Sequence, residues 1–127
     1  MQNSELIMVH IIIAASSILI GVLGKFLRPK EPNALMGYRT IRSMKSQATW
    51  KFANEYAGNL MAWSTVFAIT VQIFAYFVLE PTPSIFVAVG ASTLSLFAVI
   101  GVTEHQLKQR FDKDGNPKSR SQIEDRF

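Results

Sequence analysis

Between residues 33 and 44 the sequence reads NALMGYRTIRSM, which puts Gly37, Arg39, Thr40, Arg42 and Ser43 into one short polar segment. Two arginines three residues apart with hydroxyls beside them suit an anion. A guanidinium offers a planar fork of donors to phosphate, and hydroxyls and free N–H groups at a helix start complete the shell. Next to a membrane, a lipid phosphate is the nearest such anion. The competing reading has equal weight on physical grounds: Arg39 and Arg42 act only as topology determinants, with Tyr38 as an interfacial aromatic. Downstream, Trp50, Asn54, Ala57 and Met61 recur at spacings of four and three and so share one helix face, with Trp50 expected near the headgroups.

Elsewhere the chemistry is sparse. His10 lies inside an apolar run, where an ionisable side chain is expensive and therefore a functional candidate. A neutral ring satisfied by a backbone carbonyl or interfacial water is favoured over a proton relay, because no second intramembrane acid or histidine pairs with it. Gln72 and Asn59 read as hydrogen-bonding glue between helices. His10 and His105 are too few for a metal centre, and no nucleophile is accompanied by a base, so neither a metal, a cofactor nor an enzymatic activity is expected. Asp112, Asp114 and Gly115 lack the ligand string of a calcium loop. The absence of cysteine excludes disulfides and thiolate chemistry.

Three long uncharged runs position these residues: Leu6 to Gly24, the stretch between Glu55 and Glu80, and that between Glu80 and Glu104. Each meets the roughly 20 residues a helix needs to cross a hydrocarbon core. None has a polar face for water, so the expected fold is an all-α integral membrane protein with three spans at about 6–24, 56–79 and 83–103. Residues 1–110 would form one membrane domain and 111–127 a flexible tail. The first run follows Glu5 with no preceding Lys or Arg and no cleavage motif, so it reads as a mature span, not a signal peptide.

All thirteen Lys and Arg fall either between spans one and two or after span three. These two segments share a side, and the positive-inside rule makes it the cytoplasm, with the N-terminus outside. This layout accounts for the net charge of +4 without nucleic-acid binding, for which no recognition motif is present. Pro29 and Pro32 predict an irregular loop through Gly37. A long, partly cytoplasmic second helix is expected to start at Ser43 or Ser46, within a basic loop over 25–55. Pro81 and Pro83 predict a tight turn over Glu80 to Ser84 joining a helical hairpin. The pairs Ser17/Gly21, Asn54/Gly58, Ala88/Ser92 and Ala91/Ser95 permit close helix contact, within the chain or in a homo-oligomer.

The pattern Asn33, Gly37-Tyr38-Arg39-Thr40, Arg42-Ser43-Met44, Trp50, Ala53-Asn54 and Gly58 resembles the signature of the SdpI immunity-protein family. The resemblance extends over nearly residues 1–110. It implies a three-span unit carrying the motif in a loop before a hydrophobic hairpin, corresponding to the C-terminal unit of a longer relative with further N-terminal spans. It also implies a protein of the bacterial inner (cytoplasmic) membrane that confers immunity to a secreted antimicrobial peptide, or signals at the membrane. On this reading Asn33, Gly37, Tyr38, Arg39, Thr40, Arg42, Ser43, Trp50 and Asn54 bind anionic lipid headgroups, a toxin peptide, a cytoplasmic regulator or another membrane protein. The alternative is a non-enzymatic accessory subunit of a larger membrane complex, with a small lipid-handling or transport protein ranked behind it.

Overall fold

The structure is a computed structural model and describes residues 2–124. Three long helices, α1 (Asn3–Phe26), α2 (Gln47–Val78) and α3 (Pro81–Arg110), precede a short α4 (Arg120–Glu124). All three long helices are long and apolar enough to cross a membrane. At about 1.5 Å per residue, α2 and α3 exceed a hydrocarbon core of about 30 Å by roughly 15 Å each. Both continue past their apolar runs at the end that carries the basic residues.

Large apolar side chains point outward, among them Ile11, Leu19, Phe74, Phe77, Phe86, Leu94 and Phe97, while many of the buried positions are small or polar, such as Ala53, Ala57, Ala68, Ala75, Ala88, Ser84, Thr103 and Gln72. In water such a surface would drive aggregation. Against lipid it is expected, because acyl chains are as apolar as leucine and helices associate through close packing and hydrogen bonds instead.

Helix α1 crosses α2 where Gly24 and Gly58 meet, and a Cβ on Gly58 would collide with the Gly24 carbonyl. One turn further in, Gly21 makes room for Thr65, whose Oγ1 donates to the Ser17 carbonyl at 3.0 Å. Ser17 Oγ also lies 3.3 Å from Ser92 Oγ, tying α1 to α3. Three of the small-residue pairs, Ser17/Gly21, Asn54/Gly58 and Ala88/Ser92, therefore have contacts within this chain.

The α2–α3 connection is tighter than the prolines suggest. Pro81 occupies the first turn of α3, where an N–H would be unpaired in any case, and Ser84 already donates its N–H to Glu80 O at 3.0 Å. Ser46, not Ser43, caps α2: its Oγ accepts from Thr49 N at 3.1 Å while Ser46 N donates back to Thr49 Oγ1 at 3.0 Å. After α3, Phe111 and Pro117 bridge across a turn in which Asp112 Oδ1 accepts from the N–H groups of Asp114 and Asn116. Ser46 Oγ donates to Gly115 O at 2.6 Å, so this turn, the first part of the stretch read from composition as a tail, sits on the start of α2.

Candidate functional site

The motif loop is shaped by side chains that hydrogen-bond to backbone. Asn33 Oδ1 accepts from Leu35 N at 2.9 Å and Met36 N at 2.8 Å, bending the chain toward Gly37. Gly37 has φ +99°, a region L side chains rarely adopt, and a Cβ there would lie 2.6 Å from Asn54 Oδ1 and 3.0 Å from Trp50. Conformation and space each require glycine. Asn54, 6% exposed, accepts from Tyr38 N at 2.7 Å and donates to Trp50 O at 3.0 Å. Trp50 is fully buried beneath the loop, with Nε1 donating to Pro29 O at 2.8 Å. It thereby fastens the segment leaving α1 to the start of α2.

The two hydroxyls of the GYRT-x-RS segment face inward. Ser43 Oγ, fully buried, lies 2.9 Å from Tyr38 O and accepts from Thr40 N at 2.8 Å, while Thr40 Oγ1 accepts from Ser43 N at 3.2 Å. Both build the turn between them. Tyr38 is buried against Ala53, Ala57, Val99 and Leu107 and reaches α3, where its hydroxyl donates to Glu104 Oε1 at 2.8 Å. Burial, reinforced by the Glu104 carboxylate, pushes the Tyr38 phenol above its ordinary pKa. The other Glu104 oxygen, Oε2, lies 3.8 Å from Arg42 Nε. Arg39 alone of the motif's polar side chains stands exposed with no hydrogen bond or ion pair among the described residues.

Two residues that act here were not singled out by motif reading. Glu104 marks the end of an apolar run in the sequence, yet in space it joins Tyr38 to Arg42. Arg28 lies over Gly58, its Nη2 donating to Asn59 Oδ1 at 2.8 Å, so Asn59 holds the segment leaving α1 and does not bond between spans. Beside the loop, an open cleft of about 800 Å³ is walled by Thr40, Ile41, Arg42, Lys45, Glu104 and Lys113, among others. Chemically, the arrangement offers a loop held by its own hydrogen bonds, the exposed Arg39 guanidinium with no partner among the described residues, and a cleft of mixed charge lined by its neighbours Thr40 to Arg42, which suits recognition of an anionic group.

A second polar centre lies at the opposite end of the bundle. Gln72 Nε2 is 2.6 Å from His10 O and 3.1 Å from His10 Nδ1, and His10 Nε2 is 3.1 Å from Ser84 Oγ. His10 is therefore held by side chains from both other helices.

A sequence model of the SdpI/YfhL protein family matches residues 30–103, from the loop before the motif to the end of the third apolar run. An uncharacterized protein, YfhL of Bacillus subtilis (strain 168), is 47% identical over 47 residues, which is 37% of this chain and 43% of that relative. The aligned stretch thus covers less than half the length of the relative. No solved structure matches the chain. With the motif folded as one unit and the family match extending over more than half of the sequence, this multi-pass membrane protein belongs to the SdpI/YfhL family.

Proposed function

We propose that the chain is a non-enzymatic immunity or signalling protein of the bacterial cytoplasmic membrane, protecting its host against a secreted antimicrobial peptide. In this reading the basic end of the bundle faces the cytoplasm. The motif loop binds there an anionic headgroup or the acidic surface of a regulator, the toxin peptide or another membrane protein. The observation that carries the reading is the division of labour within the motif. Asn33, Gly37, Tyr38, Thr40, Ser43, Trp50 and Asn54 build and anchor the loop, which leaves Arg39 outside with an unneutralised charge. Holding an arginine on so rigid a support lowers the entropy lost when it meets a partner.

The test is survival of a peptide-sensitive bacterium expressing the chain. The wild type is expected to protect, and Arg39→Ala to remove most of the protection while the protein still reaches the membrane in equal amount. Arg39→Lys should restore part of it, since charge survives but the planar fork does not. Equal killing with and without the wild-type chain, across several membrane-active peptides, would overturn the reading.

A further inference from the structure

The His10 centre contains an asymmetry that the proposed binding loop does not use. An amide nitrogen only donates, so Gln72 Nε2, placed against both His10 O and His10 Nδ1, requires Nδ1 to be an acceptor. The neutral ring then carries its hydrogen on Nε2 and donates to Ser84 Oγ, whose own hydrogen goes to Pro81 O at 2.7 Å. Every group in this chain of bonds has a partner except one: Gln72 Oε1 is buried and accepts from no donor among the described residues. His10 is 7%, Gln72 4% and Ser84 0% exposed. A groove of about 460 Å³ between α1 and α2 has His10 and Gln72 in its otherwise mostly apolar wall, and His10 lies only about two turns from the start of α1, the end from which a proton in water would reach it.

We propose that His10, Gln72 and Ser84 form a proton-operated switch that sets how tightly α1 packs against α2. A proton binding the Nδ1 lone pair breaks no covalent bond but turns an acceptor into a donor, so the ring and the Gln72 N–H oppose each other. The idle Oε1 provides the relief by turning toward the new Nδ1–H, and because it cannot take the place Nε2 now holds 2.6 Å from His10 O, where two carbonyl oxygens would repel, the amide must also draw back from that carbonyl. That turn withdraws Nε2 from His10 O. Two donations from α2 to α1 become one in the reverse direction, while the Nε2–H bond to Ser84 on α3 strengthens as a charge-assisted bond. The α1–α2 contact loosens and the α1–α3 contact holds. Among the titratable groups of the three helices, Tyr76 on α2 stands edge-on to the His10 ring at 5.3 Å, while Glu5 in the first turn of α1 and Glu80 at the N-cap of α3 lie within five residues of His10 and Ser84 along the chain. Neither carboxylate forms an ion pair among the described residues.

The chain has no cysteine, so label pairs can be introduced cleanly at exposed positions. Spin labels on Ser4→Cys with Val78→Cys report α1–α2, and on Ser4→Cys with Thr82→Cys report α1–α3, in the full chain in phosphatidylcholine nanodiscs. Between pH 8 and about pH 4, a window that brackets imidazole titration, the α1–α2 distance is expected to lengthen by about 1–2 Å, the size of shift that packed helices undergo. The α1–α3 distance should stay constant. Nitrogen NMR of the ring should show the Nε2–H form at pH 8 and the distance change should follow its protonation. His10→Gln is expected to abolish the response. Gln72→Leu, which removes only the α2 partner, should abolish the α1–α2 change if the first variant does not fold. A ring with its hydrogen on Nδ1, a ring that stays neutral throughout, a constant distance across its titration, or an unchanged response in His10→Gln would each overturn the switch.

Discussion

The motif loop and the His10 centre fasten the same bundle at opposite ends, by contacts of very different range. In the loop, Asn33, Thr40, Ser43 and Asn54 bond to groups two to sixteen residues away, and the long reach is left to Tyr38 and Arg42, both to Glu104, the first at a separation of 66. At the other end, His10 meets partners 62 and 74 residues distant and nothing local. The loop is thus specified mainly by its own short sequence and forms with little loop-closure entropy. The His10 centre exists only once three helices have assembled. This difference makes the loop a rigid platform and the His10 centre a place where packing can shift, because few interactions have to change there.

The sharpest way to break the platform is at Gly37. Gly37→Ala forces a side chain into positive φ and drives its Cβ to 2.6 Å from Asn54 Oδ1 and 3.0 Å from Trp50. The conformational penalty of about 1 kcal/mol and an overpacking cost of about 1–3 kcal/mol together predict a loss of about 2–4 kcal/mol in stability. Unfolding in mixed micelles, followed by tryptophan fluorescence, measures it. Gly90→Ala is the control, since a Cβ there meets nothing within 4 Å and the midpoint should not fall.

How much of this is legible in the sequence follows from the same distinction. The spans are readable because charge is excluded from long runs, and the start of α2 is narrowed to Ser43 or Ser46 because no Pro or Gly interrupts the residues after them, with the choice between the two decided only by the bonds of Ser46 to Thr49. The loop residues stand out because their types are unusual and close together. Which of them point outward is not readable: Arg39 and Arg42 look equivalent in a string, yet Glu104 lies near one of them only because α3 continues as helix beyond its apolar run. Glu104 and Arg28 escape notice since a charge at the end of a span already has an explanation as a boundary marker. Ser43 and Thr40 look like anion ligands until the chain turns and uses their hydroxyls on itself. Gln72 and Ser84 carry no signal that links them to His10, because nothing local records a pairing across helices.

A smaller effect is expected where the platform meets α3. Tyr38→Phe keeps the packed ring but leaves the Glu104 carboxylate without its phenol donor, which predicts a loss of about 1–2 kcal/mol near neutral pH. The pH dependence sharpens the assignment. The folded-state pKa of Tyr38 is raised, so its phenol stays protonated in the fold after it ionises in the unfolded chain. The unfolded state then binds fewer protons, and stability falls as pH rises above about 10. Wild-type stability should fall through that range and that of Tyr38→Phe should fall less. Parallel alkaline curves for the two would remove Tyr38 from the account.

The least costly substitution tests the other end. Gln72→Leu removes both donations to His10 and also removes the unpartnered Oε1, so the group lost was only partly satisfied. Interhelical hydrogen bonds in membranes average about 0.6 kcal/mol, because the dissociated helices also find partners. The expected loss is therefore under about 1 kcal/mol, well below that of Gly37→Ala, although Gln72 is buried where Gly37 is exposed and one of its bonds, at 2.6 Å, is shorter than those of Asn33, Ser43 and Asn54 in the loop. Measured by the same micelle unfolding, the small value would show that burial and bond length do not rank these two regions, and that backbone constraint does. A loss for Gln72→Leu as large as that for Gly37→Ala would reverse the comparison and make the His10 centre the rigid end of the molecule.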